Sequence, residues 1–320
     1  MKPKIYVTLP IPEETREFLT TYCDVKEWSS DGPIPRETLK EAIKEVDGLY
    51  TSGGKIDADF LENAKNLKVV SNMSVGYNNF DIEAMKEKNV IGTNTPHVLD
   101  DSVADLALAL MLASARRITE FDAFIKAGKW EPVNDEEVFF GVDVFGKKLG
   151  IIGMGRIGEA IAKRAKFGFD MDVYYHNRSR KTNAEQQYDA KYVDLDTLLQ
   201  TVDFVVLMTP LTDETYHLIG KREFDLMKET GIFINVSRGQ TVDEKALIEA
   251  LQTKQILAAG LDVFDQEPIN KENPMLKMKN VVTVPHIGSA TRETRDKMAM
   301  RAAENLVAVL QGKEPMDPVY

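Results

Sequence analysis

Short apolar runs rich in β-branched residues alternate along the chain with longer stretches of helical periodicity. In the first hundred residues, three such runs predict strands and one amphipathic stretch predicts a helix: the strands are 5–9, 47–50 and 67–72, and the helix is 13–22. Strands that alternate with helices are typical of parallel βα units. The pattern therefore predicts an α/β fold that begins with a parallel sheet.

A second series of the same kind opens at residue 148. Its six predicted strands are 148–153, 173–175, 204–208, 232–236, 258–263 and 281–284, which is enough for a doubly wound sheet of the Rossmann type. Helices are predicted before and after it, at 103–115 and 291–310. We therefore predict two doubly wound parallel-sheet domains: a Rossmann domain at 100–289, and a flavodoxin-like domain formed by 1–99 and 290–320.

Composition narrows the classes of partner. Apolar residues make up 43% of the 320 positions and charged residues 28%, which is the balance of a folded protein. The formal charge of −11 repels phosphate backbones and anionic lipid surfaces, so we expect no nucleic acid and no membrane partner. The longest apolar run, 106–113, is shorter than the roughly 20 residues of a membrane span.

Cysteine usage bears on the compartment. Cys23 is the only cysteine, so no disulfide can form within the chain. The amino-terminal segment also lacks the apolar core and cleavage site of a signal peptide. We therefore expect a cytoplasmic protein.

A glycine-rich turn follows the first strand of the second series. The sequence GMGRIG contains Gly153, Gly155, Arg156, Ile157 and Gly158, and a predicted helix continues from it. In such turns the first glycine permits the tight bend, the second lets the backbone approach a pyrophosphate, and the third lets the helix pack closely on the strand. This setting predicts a dinucleotide site.

Cofactor choice depends on the side chains at the end of the next strand. Asp170 and Asp172 stand at the beginning of that strand, away from the cofactor edge. Its carboxyl end is followed by polar and basic residues, namely Asn177, Arg178, Ser179, Arg180 and Lys181. Guanidinium groups suit a 2′-phosphate, although exposed loops also carry them as solvated charges. We predict a preference for NADPH, with NADH as the alternative.

Three polar residues follow consecutive strands of the second series. Arg238 follows the strand 232–236, Glu267 comes shortly after 258–263, and His286 follows 281–284. Parallel strands place their carboxyl ends at one sheet edge, so we expect the three side chains to converge there. No HExxH pattern occurs in the sequence, so no metal site is predicted.

This combination suits the reduction of a 2-keto acid. A cation is needed to hold the carboxylate and polarise the carbonyl, and a proton donor is needed for the oxygen. Arg238 and His286 supply these functions, while Glu267 would orient the imidazole and favour its protonated form. Serine hydrolysis is the competing interpretation, but the GxSxG turn that it needs is missing and the glycine turn would be left unexplained.

The chain resembles the D-isomer-specific 2-hydroxyacid dehydrogenases, in particular the branch of glyoxylate/hydroxypyruvate and 2-ketogluconate reductases. Seven segments carry the resemblance over nearly the whole length: MSVGYNN (73–79), NTP (94–96), GMGRIG (153–158), NVSRG (235–239), AGLDV (259–263), EP (267–268) and PHIGS (285–289). Their order and spacing make the match specific.

The resemblance implies roles for several matched residues. Arg238, Glu267 and His286 correspond to the family's catalytic residues. The backbone amides of Val75 and Gly76 would bind the substrate carboxylate, and Asp262 would contact the nicotinamide. Further matched positions would line the nucleotide, namely Thr209, Pro210, Val236 and Gly288. The family also implies D-stereochemistry and a homodimer built mainly through the cofactor domains.

Two departures from the family pattern affect specificity. Members that prefer NAD carry an aspartate near the position of Asn177 and Arg178. In hydroxypyruvate reductases a tryptophan of the partner subunit can shape the substrate pocket, whereas Val133 is the nearest match here, close to Trp130. The second departure leaves the size of the substrate open.

The sequence thus predicts an NADPH-dependent reductase of small 2-keto acids, with glyoxylate and hydroxypyruvate as leading substrates. A 2-ketogluconate reductase or another D-2-hydroxyacid dehydrogenase is the alternative within the enzyme class. A dinucleotide-sensing scaffold similar to corepressors is the alternative from another class.

Overall fold

The computed structural model describes residues 1–132 and 135–320, so Val133, the predicted counterpart of the partner tryptophan, lies outside the described residues. The chain divides into two compact units. The first consists of Met1–Leu99 and Ala290–Tyr320, and the second of Asp100–Ser289. Strands and helices are numbered below along the chain.

The first unit is built on five parallel strands in the order β2-β1-β3-β4-β5. The strands are β1 Lys4–Val7, β2 Asp24–Glu27, β3 Gly48–Thr51, β4 Val69–Asn72 and β5 Ile91–Thr93. Its helices are α1 Glu13–Tyr22, α2 Arg36–Ala42, α3 Ala58–Leu61, α4 Ile82–Glu87 and α12 Arg292–Leu310. This strand order is that of the flavodoxin-like fold, which confirms the predicted fold class.

The described residues of the second unit form seven parallel strands in the order β12-β11-β10-β9-β6-β7-β8. The strands are β6 Lys148–Ile152, β7 Asp172–His176, β8 Lys191–Tyr192, β9 Phe204–Leu207, β10 Ile232–Asn235, β11 Ala258–Leu261 and β12 Val281–Thr283. Its helices are α5 Asp100–Ala115, α6 Ile118–Lys126, α7 Arg156–Phe169, α8 Thr182–Tyr188, α9 Leu195–Thr201, α10 Lys221–Leu226 and α11 Glu244–Gln252. The doubly wound sheet is confirmed, with one strand more than the six predicted.

Burial explains which strands the apolar pattern could identify. Every residue of β9, β10 and β11 is buried, as expected for strands covered by helices on both faces of a parallel sheet. The strands that the pattern did not predict are short or lie at sheet edges. Both residues of β8 are exposed, and β2 has no buried residue, so neither carries an apolar run.

Helix α5 begins with Asp100 and Asp101, whose carboxylates favour the positive end of the helix dipole. Its apolar residues cover almost the whole circumference, and it packs against α7 and against strands β10 and β11. The helix is therefore part of the core of the second unit. Among the helices that the structure describes, none combines the length and hydropathy required to cross a membrane.

Candidate active site

In the sheet of the second unit, the order in which strands are added along the chain reverses at β6. From β6 the chain moves outward to β7 and β8, and then returns to the other side of β6 to form β9. The crevice outside the carboxyl ends of two such strands is where open α/β sheets bind ligands. The turn after β6 and the loop after β9 therefore flank the expected ligand position.

The glycines of the turn after β6 are required by close contacts. Gly153 has φ +102°, and a Cβ there would lie 2.7 Å from the backbone of Met208 at the end of β9. A Cβ on Gly158 would lie 2.6 Å from the carbonyl oxygen of Gly153, so this glycine lets α7 pack onto the turn. At Gly155 a Cβ would meet nothing within 4 Å. The backbone at Gly155 is thus open to a ligand at the start of α7, as pyrophosphate binding requires.

Other polar groups near this turn also fit a dinucleotide. The hydroxyl oxygen of Thr209, after β9, is buried and has no hydrogen-bond partner among the described residues. A buried polar atom of this kind is normally satisfied by a protein group, a water molecule or a ligand. Pro210 follows it, and its carbonyl accepts a hydrogen bond from the Thr215 hydroxyl at 2.6 Å.

Arg156 begins α7 and Ile157 follows it, partly buried. The Arg156 Nε donates to Asp100 Oδ2 at 3.2 Å, while Asp100 Oδ1 is buried without a partner among the described residues. This ion pair keeps the guanidinium beside the glycine turn. The sequence did not predict the part of Asp100, because nothing local relates the start of α5 to the start of α7.

The basic loop after β7 divides its residues between two environments. Asn177 Nδ2 donates to the carbonyl of Ser179 at 3.0 Å and closes the turn. The Arg178 side chain is 88% exposed, with only a long 4.0 Å contact to Glu214. Arg180 instead forms an ion pair with Glu185, at 2.6 Å. Asp172 is the first residue of β7 and so stands at the opposite end of the strand.

Arg238 lies just after β10, with a backbone held from several sides. Its carbonyl accepts hydrogen bonds from Asn235 Nδ2 at 3.0 Å and from the Thr241 hydroxyl at 2.6 Å. Its Nη1 donates to the carbonyl of Ser237 at 2.6 Å, and no carboxylate of the described residues pairs with the guanidinium. Val236, which precedes it in the loop, is buried. The partly buried cation therefore retains donors for an anionic ligand.

The loops that carry Arg238 and Glu267 interlock. A Cβ on Gly239 would lie 1.8 Å from the carbonyl oxygen of Phe264, so the two backbones touch at a position where only glycine fits. The Gln240 amide also donates to the carbonyl of Asp265. This contact fixes the two loops against each other at the carboxyl edge of the sheet.

Glu267 and His286 form a direct pair. The His286 Nδ1 lies 2.7 Å from Glu267 Oε2, and the other oxygen, Oε1, accepts a hydrogen bond from the Phe264 N–H at 3.1 Å. The imidazole is about half exposed. With Nδ1 bonded to the carboxylate, Nε2 is the ring nitrogen left for a ligand.

Asp262 fixes the backbone around His286. Its Oδ1 accepts the Ile287 N–H at 2.6 Å and its Oδ2 accepts the Gly288 N–H at 2.9 Å, while its carbonyl accepts the His286 N–H at 3.0 Å. His286 has φ +52°, which is uncommon for a residue with a side chain. These three bonds hold that conformation. Ser102 adds a bond of 2.9 Å from its hydroxyl to the Gly288 carbonyl.

The site shifts several pKa values. Burial acts to raise the pKa of Glu267, but the hydrogen bond and the charge of His286 outweigh it, so the pKa is lowered. Burial lowers the pKa of the Arg238 guanidinium, and the charge of Glu267 opposes this. Burial also raises the pKa of Asp262 against the effect of its two N–H donors. The result is a partly buried cation near an anionic carboxylate that is paired with a histidine.

The residues predicted in the first unit lie after β4. The carbonyl of Val75 accepts a hydrogen bond from Asn94 Nδ2 at 2.8 Å, and that of Gly76 accepts one from Asn72 Nδ2 at 2.9 Å. Neither amide N–H of the two residues donates to a described residue. The loop is therefore held by its carbonyls, which leaves both N–H groups for an anion.

The arrangement in the second unit can bind an anion, orient a histidine and present a proton donor. No group of three or more metal-binding side chains occurs among the described residues. The sequence pattern indicates the site residues that follow strands, but it does not indicate the supporting contacts made by Asp100, Ser102 and Glu185. Each of these acts on a segment distant in sequence, so no local pattern could have identified it.

Comparisons with known proteins identify the family of this chain. The family profile described as D-isomer specific 2-hydroxyacid dehydrogenase, NAD binding domain, matches residues 108–288. A glyoxylate reductase of Thermococcus litoralis is 48% identical over 98% of this chain and 96% of its own length. A glyoxylate/hydroxypyruvate reductase B of an Enterobacter species is 47% identical, with the same two coverages of 98% and 96%.

A solved structure is similar over the full length. It is an NADPH-dependent glyoxylate/hydroxypyruvate reductase of Sinorhizobium meliloti in complex with NADP and malonate, 29% identical, with a TM-score of 0.86. The match covers 100% of this chain and 97% of that one. Together, the glycine turn, the paired carboxylate and histidine, and these matches show that the chain belongs to the D-isomer-specific 2-hydroxyacid dehydrogenase family.

Proposed function

We propose that this protein is a cytoplasmic, NADPH-preferring reductase of small 2-keto acids, which converts glyoxylate and hydroxypyruvate to the corresponding D-2-hydroxy acids. The pairing of His286 with Glu267 beside the loop of Arg238 is the observation that carries the proposal. The single cysteine, which is buried, agrees with a reducing compartment. The names of the relatives point to the same substrates.

The proposed chemistry divides between three side chains. A bound reduced nicotinamide supplies the hydride to the keto carbon. His286 donates the proton from Nε2 to the keto oxygen, because its Nδ1 is bonded to Glu267. Arg238 binds the substrate carboxylate and stabilises charge on the keto oxygen through donors that have no carboxylate partner. Asp262 keeps the imidazole in place by accepting the backbone N–H groups of Ile287 and Gly288, which follow His286.

Other predicted residues complete the proposal. The N–H groups of Val75 and Gly76 bind the substrate carboxylate, since neither is used by a described residue. The turn at 153–158 binds the pyrophosphate, with Thr209, Pro210 and Val236 along the nucleotide. Asp262 and Gly288 lie at the nicotinamide end, where the buried carboxylate oxygens retain lone pairs for the carboxamide.

The preference for NADPH rests on the basic loop after β7. Arg178 is almost fully exposed and its guanidinium is free to meet a 2′-phosphate. An aspartate that would bond ribose hydroxyls does not follow this strand. The related reductase of Sinorhizobium meliloti, described as NADPH-dependent, was solved with NADP.

A substrate panel tests the function directly. With NADPH, we expect kcat/KM to be highest for glyoxylate or hydroxypyruvate, lower for 2-ketogluconate and lowest for pyruvate. Steady-state rates with each acid measure this order, and hydroxypyruvate also reveals the stereochemistry because its product is chiral, whereas glycolate is not. D-glycerate is the expected product. A kcat/KM highest for pyruvate, or L-glycerate as product, would contradict the proposal.

The proton donor has its own test. His286→Ala should lower kcat by about 10²–10⁴-fold, the usual contribution of a general acid, while the Kd for NADP⁺ measured by calorimetry stays unchanged. Arg238→Ala should also raise KM for the keto acid, since it removes the cation that binds the carboxylate. His97→Ala, at an exposed histidine, is the control and should keep wild-type rates. Full activity of either site variant would remove that residue from the mechanism.

The cofactor preference is tested at Arg178. Arg178→Asp should raise the Kd for NADP⁺ by about tenfold or more, since it replaces a phosphate-binding cation with a charge that repels phosphate. The Kd for NAD⁺ should change far less. Lys191→Asp, which alters an exposed cation on the neighbouring strand, controls for the general loss of positive charge. Equal weakening of both nucleotides by Arg178→Asp would refute the phosphate contact.

We also propose a homodimer formed through the second unit. Trp130, Phe140 and Phe145 of this unit are each more than 60% exposed. Arg117 donates to the carbonyls of Val138 and Phe140, at 2.8 and 3.1 Å, and so holds the backbone that presents Phe140. Large exposed aromatic side chains are candidates for burial in a protein interface.

Light scattering tests the dimer. The wild-type protein should have twice the chain mass of 36.0 kDa, and Phe140→Asp should shift it toward the monomer because a charge cannot be buried cheaply in an apolar interface. Tyr22→Asp places the same charge on an exposed aromatic residue of the first unit and should leave the mass unchanged. A monomeric wild-type protein would contradict the proposal.

A further inference from the structure

A hydrogen-bond network centred on a buried tyrosine connects the basic loop after β7 to helix α8. Tyr175 belongs to β7 and is fully buried. Its hydroxyl donates to Glu185 Oε1 at 2.7 Å and accepts the backbone N–H of Lys181 at 2.7 Å. One buried hydroxyl therefore ties the end of the loop to a carboxylate on α8, ten residues further along the chain.

The same carboxylate holds Arg180. The Arg180 Nε donates to Glu185 Oε1 at 3.0 Å and its Nη2 donates to Oε2 at 2.6 Å. The guanidinium also lies over the ring of Tyr192, 5.9 Å from its centroid. A guanidinium has five donors in a planar fork, so this arrangement uses one edge and leaves the edge formed by Nη1 and Nη2 free.

The two arginines of the loop thus differ in freedom. Arg178 is 88% exposed and is not held by any close contact with a described residue. Arg180 is held by two hydrogen bonds and a ring, although 63% of its side chain remains exposed. Binding a phosphate through Arg178 must immobilise a long side chain, whereas Arg180 is already ordered before any ligand arrives.

We propose that Glu185 is a positioning residue for cofactor selectivity, which holds Arg180 with its free edge toward the 2′-phosphate of NADPH. This inference rests on the proposed NADPH preference and extends it: Arg178 is the free arm and Arg180 the fixed arm of a two-arginine clamp. Tyr175 supports the clamp by fixing the carboxylate of Glu185. A clamp on the 2′-phosphate acts on the group that distinguishes NADPH from NADH, so its loss should weaken NADPH binding selectively.

The negative charge of Glu185 does not cancel the attraction between the Arg180 guanidinium and a 2′-phosphate. The edge bonded by Glu185 and the free edge share Nη2 but face different directions, so a phosphate on the free edge lies closer to the guanidinium cation than to the carboxylate. A carboxylate that holds one edge of a guanidinium orders the arginine side chain in advance. When an anion then binds the other edge, the arginine loses less conformational freedom. The opposite effect, in which Glu185 withholds the cation from the phosphate, predicts tighter NADP⁺ binding once the carboxylate is removed.

Calorimetric binding of NADP⁺ and NAD⁺ without keto acid measures the effect. Glu185→Ala should raise the Kd for NADP⁺ about five- to tenfold, as expected for a lost charge-assisted contact, and should change that for NAD⁺ less than about twofold. Glu185→Gln retains acceptor and donor atoms of the same shape and should give a smaller rise. Tyr175→Phe should shift the NADP⁺ Kd in the same direction as Glu185→Ala.

A double-mutant cycle shows whether Glu185 acts through Arg180. In the Arg180→Ala background, Glu185→Ala should leave the Kd for NADP⁺ unchanged, because the positioned group is gone. Additive losses would overturn the proposal, and so would an equal rise for both nucleotides, which a merely structural role predicts. A lower Kd for NADP⁺ in Glu185→Ala would also overturn it.

The failure of the cofactor preference gives a different result. A wild-type protein that binds NADP⁺ no more tightly than NAD⁺ contradicts the proposed NADPH preference. A clear wild-type preference that survives Glu185→Ala unchanged, but is lost in Arg178→Asp, contradicts only the role of Glu185. Thermal unfolding of each variant, measured without nucleotide, shows whether its fold is intact.

Discussion

Parallel pairing of all seven strands of the second unit is the constraint on which its site depends. Because every strand runs in the same direction, all carboxyl ends meet at one edge, and whatever follows a strand is delivered there. Arg238 follows β10, Asp262 follows β11 and His286 follows β12. The glycine turn follows β6 at the point where the order of the strands reverses. Residues that are far apart in the chain therefore reach one edge of the sheet.

Carboxylates then fix the groups that the sheet delivers. Asp262 is buried and accepts two backbone N–H groups of the segment just after His286. Glu267 is hydrogen-bonded directly to the imidazole of His286. A third carboxylate, Glu185, holds Arg180 in the loop after β7. In each case an acidic side chain sets the orientation of a group that we propose contacts the ligand. The positions of the ligand-binding groups are therefore fixed by supporting carboxylates.

The sequence was sufficient for the features that follow from periodicity. Buried strands such as β10 have continuous apolar runs, and the residues that end them could be assigned to one edge before the fold was known. Strand β8 has two exposed residues, so no pattern identified it. The pairing of Arg180 with Glu185 was also missed, because a charged residue on a short helix has no signal that distinguishes it from a solvated one. The sequence shows the basic loop only as a set of cations, without the division between an exposed Arg178 and an Arg180 held by Glu185.

The central claim is that Glu267 holds His286 as the proton donor to the keto oxygen. Nitrogen NMR of the His286 ring tests it most directly, in a complex with NADPH and oxalate as an inert mimic of the keto acid. We expect a ring protonated at both nitrogens, with the Nδ1 proton in a hydrogen bond that is lost in Glu267→Ala, which removes the acceptor. A ring with no proton on Nε2 in that complex, or a spectrum unchanged by Glu267→Ala, would contradict it.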